Sequence, residues 1–391
     1  MKVNLERKIP PGVRDILPEE AGRKRQIENQ LGQAFGSWGY REVLTPTFEY
    51  YDALVMGGLD QEDNLYKFLD RQGKLLALRP DMTTPIARMV ATRLKDCGFP
   101  QRLCYFSNAF SYADPQMGRQ REFFQAGVEL IGLPPGEADG EVIALAVEAL
   151  KGVGLRKFRI HVGQIDVFNG LMEELGLAEE DQVRVKQAIS AKNYVGLEEL
   201  LLGLGCTLEQ KETVVRITSI CGGQGELAQA LQLTSNPRAV AAIKNLHEIF
   251  VTLEMYGVTE YVMVDLGVLR GFDYYTGMVF EGYSSELGFP ICGGGRYDGL
   301  LAKFGFECPA TGFALGIDRI YLALNKHQQV PLESPLDYII VYQRANLGQA
   351  ITKATELRQQ GLRVELIPKT EDIDVQAVIT EKAPLQVIEV K

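Results

Sequence analysis

The sequence holds one tryptophan, three histidines and six cysteines in 391 residues, and each scarcity excludes something. Cys97, Cys104, Cys206, Cys221, Cys292 and Cys308 are scattered without a Cys-x-x-Cys pair, and His161, His247 and His327 stand alone. Neither a zinc cluster nor a dithiol redox centre is expected from such spacing, so no metal and no cofactor is predicted. No apolar run approaches the ~18–20 residues that cross a bilayer. The opening Met1-Lys2-Val3-Asn4-Leu5-Glu6-Arg7-Lys8 also lacks the apolar core of a secretory signal. The expectation is a cytoplasmic chain with reduced, buried thiols. Positive charge is short as well: 41 Lys and Arg face 51 Asp and Glu, a formal net charge of −10. Nucleic-acid binding ordinarily needs basic side chains to replace condensed counterions. The overall charge gives that class no support, although an acidic chain can still carry one basic face.

What is present is ordinary for a globular chain, with 46% hydrophobic and 24% charged residues. The length exceeds what one core usually serves, so two or three domains are expected. After the turn-rich Gly12–Pro18, apolar residues at helical spacing (Ile27, Leu31, Phe35, Trp38) predict a helix over 21–38. Arg41 to Thr45 alternates as a strand that Pro46 ends. Residues 65–69 and 75–78 predict a hairpin about a polar turn, and 83–94 a helix. Strands are predicted at 102–112 and 122–129, a helix at 137–153 and a strand at 158–162. From about 169 to 257 the chain turns Leu-, Ala- and Glu-rich with glycine breaks, and reads as an insertion of short helices. Strands return at 261–266, 279–283 and 310–314, followed by a helix from Ile317. Beyond a break near Pro335, residues 336–391 predict a miniature α/β unit.

Three clusters carry chemistry. Arg79-Pro80-Asp81-Met82-Thr83-Thr84 places an acid and hydroxyls after a strand, suited either to holding an ammonium group or to capping the next helix. Arg270-Gly271-Phe272-Asp273-Tyr274-Tyr275-Thr276 groups an arginine, an aspartate and phenols as an anion site or an ordinary ion pair. Gly293-Gly294-Gly295-Arg296-Tyr297-Asp298-Gly299 lets backbone approach a ligand closely, or is simply a glycine-rich turn.

Taken in order, these segments resemble the histidine-recognition signatures of histidyl-tRNA synthetases, over roughly residues 8–325. Gly39-Tyr40-Arg41-Glu42-Val43 through Pro46 resembles motif one, the dimer interface of class II synthetases. Gly312-Phe313-Ala314-Leu315-Gly316-Ile317-Asp318-Arg319 resembles motif three with its nucleotide-facing arginine. The resemblance implies an α+β fold: a class II synthetase-like antiparallel sheet flanked by helices over 1–325, with the helical insertion at about 169–257 and a short α/β remnant at 336–391. It also implies a histidine pocket. Asp81, Thr83 and Gln125 would address the α-amino group, Glu129 and Tyr275 the imidazole, and Arg270 the carboxylate, with Tyr274 and Tyr297 completing the wall.

Motif two departs from the pattern. Where the synthetases carry Phe-Arg-x-Glu, this chain reads Phe110-Ser111-Tyr112-Ala113, followed by Asp114. The missing arginine stabilises charge as the adenylate forms, and loss of such a donor typically costs ~10²–10³ in rate. The stretch after Pro335 is also too short, and too rich in acids such as Glu371, Asp372 and Asp374, for the enzymes' anticodon-binding domain. A histidine pocket kept without activation chemistry is similar to the regulatory subunits of short-form ATP phosphoribosyltransferase. The resemblance implies a non-enzyme that self-dimerises through motif one, assembles with the separate catalytic subunit and takes L-histidine as feedback effector, with no tRNA and no membrane. The alternatives are a paralogue that still uses ATP, in which Arg119, Arg121 and Arg319 would touch the nucleotide, a working histidyl-tRNA synthetase, and a histidine sensor for another partner.

Overall fold

Pro18 opens helix α1 (Pro18–Ser37), where its fixed φ and missing N–H cost nothing, and Glu19 and Glu20 complement the helix dipole. Ile27, Leu31 and Phe35 form its buried stripe. The Phe35 ring packs 5.8 Å from Phe106 and 6.0 Å from Phe313, which fixes the helix to the sheet. The computed structural model describes residues 8–58, 64–112, 120–269, 274–326 and 336–390. They fall into two compact units, Met1–His327 and Gln328–Lys391.

Strand β1 (Arg41–Glu42) is shorter than the predicted 41–45. Beyond it Val43 still donates to the Cys104 carbonyl at 2.9 Å, and Arg79 Nη1 donates to the carbonyls of Thr45 (2.8 Å) and Pro46 (3.1 Å). A small sheet follows: β2 (Phe48–Tyr50), then helix α2 (Tyr51–Met56), β3 (Lys67–Leu69) and β4 (Leu75–Leu78), in the order β2-β4-β3. The predicted hairpin is its β3–β4 half; β2 was not foreseen. The helix expected at 83–94 is α3 (Thr83–Met89) continuing as a π-helical turn over Val90–Leu94.

The large sheet draws on β5 (Gln101–Phe110) and β6 (Glu122–Ile131), then, after helix α4 (Glu137–Gly152), on β7 (Phe158–Gln164). The insertion is helical as expected: α5 (Ile165–Leu175), α6 (Glu179–Ser190), α7 (Tyr194–Gly203), α8 (Leu208–Thr218), α9 (Glu226–Leu233) and α10 (Pro237–Met255). Its starts are written locally. Thr207 and Gln210 form a reciprocal capping box for α8, and Asn236 caps α10 ahead of Pro237. Between α8 and α9 a two-residue strand, β8 (Cys221–Gly222), returns to the sheet. The sheet is completed by β9 (Val262–Asp265), β10 (Met278–Ser284), β11 (Pro290–Arg296) and β12 (Ala310–Gly316), before helix α11 (Ile317–Lys326). Its nine strands run β1-β5-β6-β12-β11-β10-β7-β9-β8, antiparallel except for β1·β5 and β7·β9.

Strand β11 corrects the sequence reading. Its glycine triplet is not a turn but the middle of a central strand, between β10 and β12. A side chain at Gly294 would begin 2.4 Å from the Gly312 carbonyl oxygen, so only glycine fits there. Facing residues across a ladder share a face. The register aligns Gln125, Gly127 and Glu129 with Gly316, Ala314 and Gly312, and then Gly293 and Gly295 with Glu281 and Val279. That face is a glycine- and alanine-lined floor with carboxylates standing on it. Phe280 and Phe313 occupy the opposite face, 6.3 Å apart.

The second unit has a three-stranded parallel sheet in the order β14-β13-β15, from β13 (Tyr338–Tyr342), β14 (Val364–Pro368) and β15 (Gln386–Val390). Helices α12 (Leu347–Gln359) and α13 (Val375–Lys382) complete it. Ile340 packs with Ala350, Ala354 and Leu357, whereas Ile339 and Val341 pack with Ile367, Val378 and Ile379. Alternate residues of one strand thus fill two separate layers. Among the described residues no helix is long and apolar enough to cross a membrane.

Candidate functional site

A cavity of about 800 Å³ lies over the glycine floor. Every predicted site residue that the structure describes lines it: Asp81, Thr83, Gln125, Glu129, Tyr274, Tyr275 and Tyr297. Arg270, predicted to meet a carboxylate, lies outside the described residues, as do Ala113, Asp114 and Arg119.

Asp81 and Thr83 reach the cavity from the step between β4 and α3. Asp81 is bonded through both of its oxygens. Its Oδ1 accepts the Thr84 backbone N–H at 3.2 Å, as a cap would, while its Oδ2 accepts the Tyr274 hydroxyl at 3.2 Å. Glu129, on β6, accepts the Thr83 hydroxyl at 2.8 Å and the Tyr297 hydroxyl on its other oxygen. The three phenols stack edge to face, with Tyr274 centred 5.0 Å from Tyr275 and 5.9 Å from Tyr297. Gln125 differs from these, because its Oε1 is buried without a hydrogen-bond partner among the described residues. A buried acceptor left unpaired costs free energy until a donor arrives. Among the described residues the arrangement therefore leaves one buried acceptor without a donor.

Both carboxylates are 4% exposed or less, and burial raises them. Asp81 is pushed up to about 6, opposed by the Thr84 and Tyr274 hydrogen bonds. Glu129 is pushed up to about 8, opposed by Tyr297 and Thr83 and reinforced by the charge of Asp81. Near neutral pH Asp81 is mostly ionised and can accept a cation, whereas Glu129 must first give up its proton to do so.

The floor makes room for this. A Cβ at Gly312 would lie 2.1 Å from Glu129 Oε2 and 2.3 Å from the Val128 carbonyl oxygen, and the latter cannot move aside. Gly312→Ala is expected to destabilise the chain by about 1–3 kcal/mol through overpacking. Gly293→Ala should be nearly neutral, since its Cβ would meet only the Phe280 carbonyl at 3.6 Å. Urea unfolding of both variants checks the contrast, and equal stabilities would remove the packing argument.

The far end of the cavity is different. Arg14 Nη1 donates to Glu20 at 2.6 Å and its other nitrogen lies 3.6 Å from Asp318, so its charge is already engaged. Arg319 donates to the Pro290 carbonyl at 2.6 Å and lies over the Phe289 ring. Ser111 lines the wall, whereas Arg121 packs over the Tyr112 ring and is not part of the lining. Among the described lining residues Glu20, Asp81, Glu129, Glu281 and Asp318 stand against Arg14 and Arg319.

Sequence reasoning missed Glu281, Tyr105 and Glu20. Glu281 had a usable signal, since it alternates with Phe280 and Gly282 on a strand, but which face it shared needed the register. Arg296 was quoted with Tyr297 as one signature, and the structure separates them. The Arg296 guanidinium is buried away from the cavity, 2.9 Å from Asp139 and from Asp298.

Comparison with known proteins gives this geometry its context. The histidyl-tRNA synthetase family profile matches residues 12–320. The chain is 47% identical to an ATP phosphoribosyltransferase regulatory subunit from Desulforamulus reducens, over 91% of this chain and 89% of that protein. It is 45% identical to one from Moorella thermoacetica, over 94% and 93%. A crystal structure described as an ATP phosphoribosyltransferase regulatory subunit/histidyl-tRNA synthetase, from Bacillus halodurans, superposes with a TM-score of 0.89 at 37% identity, covering 98% of each chain.

Proposed function

This chain belongs to the ATP phosphoribosyltransferase regulatory subunits, a family built on the histidyl-tRNA synthetase domain, and from that premise we propose that its cavity is a sensor for L-histidine. It is a regulatory subunit and not an aminoacylating enzyme. Its separate catalytic partner needs it for full activity, and histidine held in the cavity turns the assembly down. The observation that carries this reading is the convergence of Asp81, Thr83, Gln125, Glu129, Tyr274, Tyr275 and Tyr297 on one cavity, with the Gln125 acceptor awaiting a donor.

In this reading the ammonium of histidine sits between Asp81, Thr83 and the Gln125 carbonyl, and its imidazole meets Glu129 and Tyr275. Arg270 takes the carboxylate. Inhibition follows if histidine binds the inhibited assembly better than the active one, and couplings of this kind are typically ~1–3 kcal/mol. The chain dimerises with itself through the motif-one segment, carries no tRNA and works in the cytoplasm. Of the thiols expected to be buried, Cys104 and Cys292 are, whereas Cys97 and Cys221 are exposed.

Calorimetry of the purified chain, titrated with L-histidine and separately with ATP, tests the proposal. Histidine binding without ATP binding supports a sensor. Clear ATP binding with adenylate formation returns the chain to the enzymes, and binding of neither makes the residues relics. The pH dependence is a second test. Asp81 must be ionised to receive the ammonium, and burial holds it at about 6. Its ionised fraction is expected to rise about tenfold between about pH 5 and 7. Because the imidazole of histidine titrates in the same window, the profile is compared with that of Asp81→Asn, which lacks only the Asp81 contribution. Identical profiles would remove the Asp81–ammonium pair.

A further inference from the structure

On the same face of the large sheet, beyond Glu281, a second polar cluster stands outside the cavity. His161 of β7 faces Glu281 across the ladder, and Asp265 at the end of β9 faces Cys221 of β8. His161 Nδ1 is 3.0 Å from Asp265 Oδ2. The donor atoms of His161, Cys221 and Asp265 all lie within 4.8 Å of one another. Lys192, in the turn between α6 and α7, places its ammonium 2.8 and 2.9 Å from the two oxygens of Asp265. The Gly267 backbone N–H donates to the same carboxylate at 3.0 Å.

We propose that His161, Cys221 and Asp265 form a zinc-binding site, in which the Lys192 ammonium holds the place of the metal until zinc displaces it. One imidazole nitrogen, one thiolate sulfur and one carboxylate oxygen make a donor set that Zn²⁺ favours. Three protein ligands leave a fourth, tetrahedral position open to water or an incoming group. The carboxylate is already buried, with a side-chain exposure of 3%, and Gly267 orients it as an outer-shell donor orients a ligand. Burial works to raise it, but His161 and Lys192 hold it below its ordinary value, so it is ionised and ready. The side chain of Lys192 is 47% exposed and can swing into solvent when a dication arrives. Zinc binding would move the Cys221 thiol proton to solvent as the Zn–S bond forms, so affinity rises with pH. It would also release the α6–α7 turn from its tie to β9. Local spacing hid the site, because its ligands come from three strands separated by tens of residues.

The test is a zinc titration of the full, EDTA-treated chain against a chromophoric chelator, with Co²⁺ as a spectroscopic probe. One Zn²⁺ per chain is expected, with a cobalt–thiolate charge-transfer band in the near ultraviolet. Cys221→Ser and His161→Gln should each weaken binding by about 100-fold or more, and Cys221→Ser should abolish the band. Cys221 is exposed, so its serine variant is expected to fold, which circular dichroism verifies. Lys192→Met should tighten zinc about tenfold by removing the competing cation. A permanent structural ion pair predicts the reverse, a destabilised chain with no gain in zinc affinity. Binding weaker than about 1 mM, binding indifferent to both ligand variants, or no gain in Lys192→Met overturns the proposal.

Discussion

Glu129→Gln is expected to stabilise the free chain at alkaline pH while weakening L-histidine binding by about 10- to 100-fold. The loss of affinity follows because the bound imidazole favours the ionised carboxylate, which an amide cannot supply. A hydrogen bond to a charged group is worth about 1.5–3 kcal/mol, less the cost of removing the proton that burial holds there. The gain in stability follows from burial. An unfolded glutamate titrates near ~4.3, but burial raises Glu129 to about 8 in the folded chain. Between those values the folded chain holds a proton that the unfolded chain has released, so wild-type stability falls as pH climbs from about 4 to about 8. Each unit of that difference costs about 1.4 kcal/mol. Glutamine carries no ionisable proton and escapes the loss. At about pH 4.5 the two proteins should melt together, and at about pH 8 the variant should melt higher by roughly 5 °C. In the complex with the catalytic subunit, the same variant should resist histidine inhibition while still assembling. A variant equally destabilised at both pH values would mean that the Thr83 and Tyr297 hydrogen bonds, not ionisation, dominate at this position.

Asp139→Ala is expected to cost about 3–5 kcal/mol and to leave histidine affinity of the folded chain unchanged. Asp139 and Arg296 are 0% and 3% exposed, and they meet at 2.9 Å. Removing the carboxylate strands a guanidinium that keeps only Asp298 and the carbonyls of Leu133 and Pro134. Breaking such a pair is far worse than replacing it whole, so Asp139→Leu with Arg296→Met should recover much of the loss. Thermal melts measure the cost, and calorimetry on the folded fraction measures histidine. If Asp139→Ala does not fold, the milder Asp139→Asn carries the same test. An affinity loss beyond about tenfold would place Arg296 in the histidine site after all.

The helices were the most legible part of the sequence. Pro18, the Thr207–Gln210 box and Asn236-Pro237 mark helix starts with residues only a few positions apart, so the signal is complete within one turn. Strands were legible where they alternate or run apolar, as at 101–110 and 158–164. They were misread where packing overrides propensity. Glycines at 293–295 read as a turn, yet they form a central strand, in which the carbonyl of Gly312 and the ring of Tyr275 leave no room for side chains at Gly294 and Gly295. The strand expected at Arg41–Thr45 is only Arg41–Glu42, because the alternation that announces a strand does not say how far a partner strand will follow it.

The candidate site divides in the same way. By itself the sequence determined which side chains were available: Asp81, Thr83, Tyr274, Tyr275 and Tyr297 stand in recognisable motifs, Gln125 and Glu129 at positions that only the family resemblance supplies, and Ser111 where a synthetase has arginine. Only the tertiary structure decided which way they point. Tyr297 turns into the cavity and Arg296, one residue earlier, turns out of it to Asp139, because Arg296 ends β11 on the face opposite the glycine floor and Tyr297 lies just beyond the strand. Tertiary structure likewise decided the charge state of Glu129, since desolvation depends on what covers a carboxylate and not on its neighbours in the chain. It alone brought His161, Cys221 and Asp265 together, because strand order, which no local pattern encodes, sets the distances between residues far apart in sequence.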